Sequence, residues 1–428
     1  MMRGSRLLLI GLYLILAESA RADELKAGAA KIDITPPSGY PMWGYGARHD
    51  AASVGVLDPL QARALVLAAG NERIALVSLD LGRAPTRQST AAIRARVKEA
   101  VGIEHFFLVG SHTHHGPVIE LDDWPSPASS YVRQLEHKLA DLIIEAAKSL
   151  RPARIGFASK EVPFNRNRHS KLADKPVDRE FLVLRVEDKD GKPIAHAVNF
   201  AAHPTMTEAR VLKFSADYPG PLAELVEKET GVPCLFLQGA AGDLSANAGE
   251  SRGPQKFGQA LGRHVLTLAR TIHCQAPEKP SLRVHEEDFR FKNRIDLGNP
   301  LVHAAFAKAF FPSLVDFYQR EYREGVRPHL SVALLDGSIG FVGVSGEFFC
   351  GHALALKRRA RLEHLFFLGY CNDYQQYFPT IEAAAEGGYG AAAGVSTAEV
   401  GAGERMMDRA LLVLFQMRDR YLDVPFGK

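Results

Sequence analysis

Phe106-Phe107-Leu108-Val109-Gly110-Ser111-His112-Thr113-His114-His115-Gly116-Pro117 is the stretch from which this chain is best read. An apolar run rich in Phe and Val predicts a buried strand, and it ends in three imidazoles before a Gly-Pro turn signal. Side chains alternate faces along a strand, so His112 and His114 are expected on one face and His115 on the other. Histidines are common in surface loops. At the end of a core strand, however, His-x-His is a rigid way to present half of a zinc site. The other half must come from elsewhere in the chain.

Composition sets the frame. The chain has 428 residues, 46% of them hydrophobic, with a formal net charge of +3. That suits a globular protein with ample material for a core. The near-even charge balance gives no argument for nucleic acid as a partner. At the N-terminus, Arg3 and Arg6 precede an apolar run from Leu7 to Ala17, and Ala20-Arg21-Ala22 reads as a small-x-small cleavage site. Residues 1–22 are therefore expected to be a secretory signal peptide and 23–428 the mature domain. Losing the leader removes three arginines and one glutamate, which lowers the net charge from +3 to +1. No later stretch is long and apolar enough to span a bilayer. An exported, periplasmic or secreted protein is the expectation. The four cysteines include no Cys-x-x-Cys, so thiolate zinc binding is not expected. Cys234 reads as a buried thiol, and Cys350 with Cys371 is a candidate disulfide.

Outward from the histidines, strand and helix alternate. A strand over 27–36 is followed by a strand pair at 63–68 and 74–81, a helix over 86–101 and the strand that leads to His112. Ser129 to Leu150 has amphipathic helical spacing. Three strands follow, and the last ends in Asn199-Phe200-Ala201-Ala202-His203-Pro204. After a helix at 219–230, a buried strand opens into Gly242-Asp243-Leu244-Ser245-Ala246-Asn247. A further helix spans 254–272. One Phe-rich helix is expected at about 300–322. A hairpin turning at Asp336-Gly337 leads to Ser345-Gly346-Glu347, and a late strand ends near Asn372-Asp373-Tyr374-Gln375-Gln376-Tyr377. The expected fold is α/β: a mixed β-sheet core with flanking helices, in a single large domain.

Four strands thus end in loops with polar candidates: His112 with His114, then His203, Ser245 and Glu347. Strand ends are where α/β proteins place their sites. A hydrolytic zinc ion takes His nitrogens and a carboxylate, so two His and a Glu form a sensible set. On spacing alone, Asp243-Leu244-Ser245 serves equally well as a helix N-cap. Tyr377 would pass as an aromatic that anchors a loop.

The motifs resemble, in one order through nearly the whole mature chain, those of the neutral/alkaline non-lysosomal ceramidase family. The matching pieces are Ser111 to Pro117, Asn165-Arg166, Phe200 to Pro204, Ser215-Ala216-Asp217, Gly242 to Asn247, Gly346-Glu347 and Asn372 to Tyr377. The resemblance implies an exported zinc hydrolase that cleaves the N-acyl amide bond of ceramide or a related N-acyl lipid, giving a fatty acid and a sphingoid amine. It implies His112, His203, Glu347 and Tyr377 as zinc ligands, which frees His114 for a role beside the metal. Ser245 then matches the family's proposed nucleophile, with positioning of the amide as its other role. Arg166 matches an arginine near the substrate, and Tyr389 an oxyanion donor. His115 is expected to face away from the metal.

The sequence departs from the family in places. Ser345 precedes Gly346-Glu347 where proline is usual, and Ala246 stands where proline follows the serine. A second, β-sandwich-like domain found in well-known members is expected to be missing. These departures leave two other readings: a zinc amidase or esterase for a different acylated compound, or a noncatalytic exported binding protein of the same fold.

Overall fold

A computed structural model describes residues 24–124, 126 and 130–420; the leader expected at residues 1–22 lies outside them. In chain order the strands are β1 (Lys26–Asp33), β2 (Gln61–Ala69), β3 (Glu72–Leu79), β4 (His105–Gly110), β5 (Arg151–Glu161), β6 (Asn165–Asn167), β7 (Glu180–Asp188) and β8 (Pro193–Phe200). They continue with β9 (Cys234–Gln238), β10 (Leu244–Ala246), β11 (Leu282–Asp288), β12 (His329–Leu335), β13 (Ile339–Val344), β14 (Glu347–Phe348), β15 (His364–Leu368) and β16 (Tyr377–Phe378). The helices are α1 (Arg87–Val101), α2 (Tyr131–Lys148), α3 (Pro219–Thr230), α4 (Pro254–Thr271), α5 (Pro300–Ala309), α6 (Pro312–Glu321), α7 (Cys350–Ala360), α8 (Ile381–Glu386) and α9 (Ala402–Met417).

Eight strands form a mixed sheet in the order β4-β3-β2-β1-β5-β7-β8-β9, and β11-β12-β13-β15 form a second sheet. The central strands are buried on both faces, as their sequences foretell. Along β2, Ala62, Ala64 and Val66 join one apolar cluster, shared with α1 and α2, while Leu65 and Leu67 join another. That second cluster also holds Phe341 and Phe366 from the small sheet, so the two sheets pack face to face. Helices α3 and α4 cover the β7–β9 end, and α7 and α9 cover the far face of the small sheet. The result is helix, sheet, sheet, helix: the expected mixed α/β domain.

Local signals set the helix ends. The Thr86 hydroxyl caps α1 by accepting from the Ser89 amide, and Gly102 ends it at φ 68°. On α2, Val132, Leu135, Leu139, Ile143 and Ala146 make the buried stripe. The Phe-rich segment departs from expectation. It is two helices, because Pro312 has no N–H for a continuing helix and holds the preceding residue extended. Phe311 accordingly sits at φ −76°, ψ 149°.

The large sheet curls until its two edges approach at their C-terminal ends. The Gln238 side-chain amide, at the end of β9, donates to the Ser111 carbonyl beyond β4 at 3.0 Å. The segment after β15 closes the gap: the Gly369 amide donates to Gln238, the Gly110 amide to Tyr370, and the Asn372 amide to Leu108. This closure brings strand ends far apart in sheet order to one point.

All four cysteines are free, so the candidate pairing of Cys350 with Cys371 is not formed. The Cys350 thiol is committed elsewhere, 3.2 Å from an Asp243 carboxylate oxygen and 3.3 Å from the Pro176 carbonyl. Cys371 is buried in the core between the sheets. Cys234 is the buried thiol expected. Among the described residues no helix is long and apolar enough to cross a membrane.

One core group gives a pH prediction. His196 on β8 is 3% exposed and its Nδ1 has no partner. Burial, and then the Arg185 charge, push its pKa down to about 4 from 6.5. The unfolded chain therefore takes up this proton first as pH falls. Stability present above pH 6.5 is lost between there and about pH 4, by ~3 kcal/mol. In urea unfolding at neutral and acid pH, His196→Gln should lose correspondingly less stability than the wild type.

Candidate metal centre

His112 and His114 do converge, but not by strand alternation. Strand β4 stops at Gly110, and His112 takes φ 69°, a left-handed conformation. Such a residue stores strain of about 1–3 kcal/mol and persists only where its surroundings impose it. The turn sets the two rings 4.9 Å apart and nearly perpendicular, each packed edge-on against Trp43. His115 points away as expected: it is buried, with Nε2 2.6 Å from an Arg48 guanidinium nitrogen.

His203, beyond the end of β8, completes the imidazole cluster. Its Nε2 lies 3.0 Å from that of His112, and His114 Nε2 lies 3.3 Å from the same atom. The tautomers of His112 and His203 follow from their other nitrogens. Nδ1 of His112 donates to the Gly82 carbonyl at 2.8 Å, and Nδ1 of His203 to the Ala241 carbonyl at 2.7 Å. Both Nε2 atoms are thus left with lone pairs, aimed at one another. Two acceptors facing each other at 3.0 Å repel unless a cation or a proton lies between them.

Glu347 supplies the negative charge. One carboxylate oxygen, Oε2, stands 3.3 Å from His112 Nε2 and 3.1 Å from His203 Nε2. The other, Oε1, accepts from the Tyr374 hydroxyl at 2.5 Å. Burial pushes this carboxyl up, yet facing His112 and His203 hold it well below the usual carboxylate range. Two donors each about 2.1 Å from a tetrahedral ion stand about 3.4 Å apart, so separations of 3.0–3.3 Å suit a shared ion. His112, His203 and Glu347 are 1%, 0% and 2% exposed. The donor set fits a divalent metal.

Short strands bring in Tyr377. Strands β14 and β16 pair in parallel, with Glu347 beside Tyr377. Nearby, a Cβ on Gly242 would lie 2.5 Å from the Glu347 carbonyl oxygen, so only glycine allows this approach. Tyr370, Asn372 and Gln376 sit at φ 55°, 56° and 60°, so the segment that delivers the tyrosines shares the strain of His112. Burial first, and then Glu347, raise the Tyr377 phenol, while Arg168 pulls it the other way.

Arg168 was not singled out from sequence. One of its guanidinium nitrogens, Nη2, lies 2.9 Å from His203 Nε2, 3.0 Å from the Gly242 carbonyl and 3.2 Å from the Tyr377 hydroxyl. Arg166, the expected arginine, is exposed on β6, opposite Ser245 in the β6–β10 ribbon. The chain offers Asn-Arg twice running, Asn165-Arg166 and Asn167-Arg168. Strand β6 ends at Asn167, whose side chain is tied to Asp243, and the next residue turns toward the cluster. Opposed residues of such a ribbon share a face, so Ser245 lies with Arg166 on its more open side. The Ser245 backbone is bridged to His203, and no side-chain base bonds its hydroxyl among the described residues. Tyr389 is 69% exposed, its ring 5.9 Å from that of Tyr377.

Sequence gave no hint of the group behind the cluster. Arg83, 1% exposed, pairs with Glu120 and Asp373, and Glu120 also accepts from Trp43 and Tyr318. An apolar cavity opens from the centre, with Glu347, His114, Tyr374 and Tyr377 at its inner end and Tyr389 on its wall.

Residues 25–254 match the family model of neutral/alkaline non-lysosomal ceramidase, N-terminal. The neutral ceramidase of Pseudomonas aeruginosa is 29% identical over 322 residues, covering 67% of this chain and 47% of that protein. Neutral ceramidase B of Dictyostelium discoideum is 28% identical over 175 residues, covering 34% of this chain and 24% of its own length. The chain thus spans less than half the length of these relatives. The crystal structure of the Pseudomonas aeruginosa neutral ceramidase superposes with a TM-score of 0.75 at 19% identity, covering 95% of this chain and 76% of that one. That likeness shows the shared fold. The family model covers more than half of the 428 residues, and on that match this chain belongs to the neutral/alkaline non-lysosomal ceramidase family.

Proposed function

We propose that this protein is an exported zinc-dependent amidohydrolase, which cleaves the N-acyl amide bond of ceramide or a related N-acyl lipid. The observation that carries this is the meeting of His112 Nε2, His203 Nε2 and Glu347 Oε2 within 3.0–3.3 Å, at the end of an apolar cavity. These three, with the Tyr377 oxygen beside Glu347, are the zinc donors. When bound, zinc supplies Lewis acidity, polarising the scissile carbonyl and lowering the pKa of water toward 7. The signal-like pattern of residues 1–22 supports export.

The remaining residues divide the work. Burial first, and then the neighbouring imidazoles of His112 and His203, which disfavour a further positive charge, hold His114 well below the usual imidazole pKa, so it is neutral near pH 7. A neutral His114 accepts a proton from the attacking water and returns it to the departing amine nitrogen. Tyr389, a phenol donor on the cavity wall, faces the developing oxyanion, a contribution of about 3 kcal/mol. Arg168 takes the part expected of Arg166, donating to the Tyr377 oxygen and so holding the phenol in place beside Glu347. Ser245 orients the amide, since no base activates its hydroxyl.

Two histidine variants separate ligand from proton carrier. His112→Ala should lose both zinc and activity. His114→Gln should keep one zinc per chain while kcat falls by about 10²–10⁴-fold. Zinc content by mass spectrometry and turnover of an N-acyl sphingoid amide measure both. Full turnover after exhaustive chelation would refute the proposal. Turnover of simple esters or amides without any of ceramide would leave the wider reading, a zinc amidase or esterase.

A further inference from the structure

His114 differs from the two histidines beside it in how its ring is held. Nδ1 of His112 and Nδ1 of His203 each donate to a backbone carbonyl, which fixes ring and tautomer. Nδ1 of His114 is buried and has no hydrogen-bond partner among the described residues. The bond that usually orients a proton-carrying histidine is therefore missing.

Contacts with the loop of Trp43 and Tyr45 replace it. Both rings stand edge-on to the His114 imidazole, with centroids 5.6 and 4.8 Å away and planes at 87° and 67°. Between them Gly44 takes φ 104°, and a Cβ there would lie 2.5 Å from His114 Cγ, so backbone lies directly against the ring. A ring held only by such contacts keeps its orientation while the loop stays against the histidine turn. Main-chain bonding secures the start of this loop, where the Trp43 amide donates to Gly116 at 2.9 Å. Arg48 secures its other end.

Arg48 is 8% exposed. Its Nη1 donates to the His114 carbonyl at 2.5 Å and the Trp43 carbonyl at 3.4 Å. Its Nη2 donates to His115 Nε2 at 2.6 Å, and its Nε to the Ala209 carbonyl at 2.8 Å. The guanidinium carbon also lies 4.6 Å from the centre of the Tyr45 ring. One planar group thus joins the loop, the histidine turn and the segment after His203. Its hydrogen-bond partners are all uncharged. Burying a charge without a counter-charge is costly. A rigid fork of donors can grip three segments at once, which a neutral side chain cannot.

We propose that Arg48 is a positioning residue for His114: its guanidinium holds the loop of Trp43 and Tyr45 against the histidine turn, and so sets the orientation of the imidazole. The effect on turnover rests on the amidohydrolase reading above; the effect on the ring does not.

The zinc-loaded protein is compared with Arg48→Met and Arg48→Lys. Methionine keeps much of the stem and orphans no carboxylate, so the variant is expected to fold. Arg48 bonds neither Nε2 of His112 and His203 nor Glu347 and Tyr377, so Arg48→Met should keep one zinc per chain. Its kcat for an N-acyl sphingoid amide should fall by about 10²-fold, with KM changed far less. Lysine restores the charge without the fork, and should regain only a minor part of that loss. Magnetic resonance of protein carrying isotope-labelled histidine reads the ring without catalysis. The His114 signal, identified by its absence from His114→Gln, should shift or broaden in Arg48→Met while those of His112 and His203 hold. A folded Arg48→Met with an unchanged His114 signal would overturn the proposal. Full recovery in Arg48→Lys would overturn the grip, and loss of zinc from both variants would assign Arg48 to the fold alone. If no amide is cleaved but the His114 signal responds, the positioning stands and the amidohydrolase reading fails.

Discussion

Glu347→Gln is expected to strip the centre of zinc and to lower kcat/KM for N-acyl amide hydrolysis by about 10³-fold, equivalent to ~4 kcal/mol. The carboxylate is the negative group that faces both imidazole lone pairs, and Tyr374 and Tyr370 fix its orientation at 2.5 and 3.4 Å. Glutamine has one acceptor oxygen where glutamate has two. With its amide nitrogen toward the histidines, it donates into the lone pairs that a cation needs. Turned the other way, it offers an uncharged oxygen to the metal and its N–H₂ to Tyr374. Either way the site loses a full charge in a region shielded from water. The side chain keeps its size, so unfolding in urea should move far less than activity does. Zinc content, turnover and stability on one preparation decide the matter. A variant with wild-type zinc and turnover would remove Glu347 from the ligand set.

The pattern of residues reveals the fold's layers more readily than it reveals the site. Buried strands such as β2 and the stripe on α2 announce themselves through period, because packing against a sheet imposes that period. The end of β4 does not. Alternation suggested that His112 and His114 share a face, and they do meet, but through a left-handed turn at His112 that no periodicity encodes. Glu347 was legible as a carboxylate at a strand end, whereas Tyr377 was reached through a family resemblance, since only the β14–β16 pairing brings the two together. Arg168 shows the limit in a different way. Two identical Asn-Arg pairs stand side by side, and what selects the second is where β6 stops. The break at Pro312 was readable from the rule for residues before proline, and the apolar run around it obscured that signal.

Arg83→Leu should cost about 3–5 kcal/mol of stability, the usual effect of breaking a buried ion pair by removing one partner. The arginine donates to Glu120 at 3.3 Å, Asp373 at 2.8 Å and the Ala84 carbonyl at 3.0 Å, and it lies over the Tyr374 ring at 5.5 Å. Without it, two buried carboxylates share a dry pocket with no cation. The damage should reach the metal centre from two sides. Glu120 holds Trp43 at 3.0 Å, the indole against which His112 and His114 pack. Asp373 precedes Tyr374, which holds Glu347. Weakened zinc affinity should therefore accompany the lost stability, although no ligand has changed. Arg83→Lys separates charge from geometry: lysine restores one positive charge but cannot reach Glu120, Asp373 and Ala84 together, as the planar fork does. It should recover only part of the stability. The double variant Arg83→Leu with Glu120→Gln removes one of the orphaned charges and should be more stable than Arg83→Leu alone. Urea unfolding of the three proteins, with zinc affinity measured on each, tests this coupling. If Arg83→Leu lost stability yet bound zinc as tightly as the wild type, the network would support the core without holding the centre.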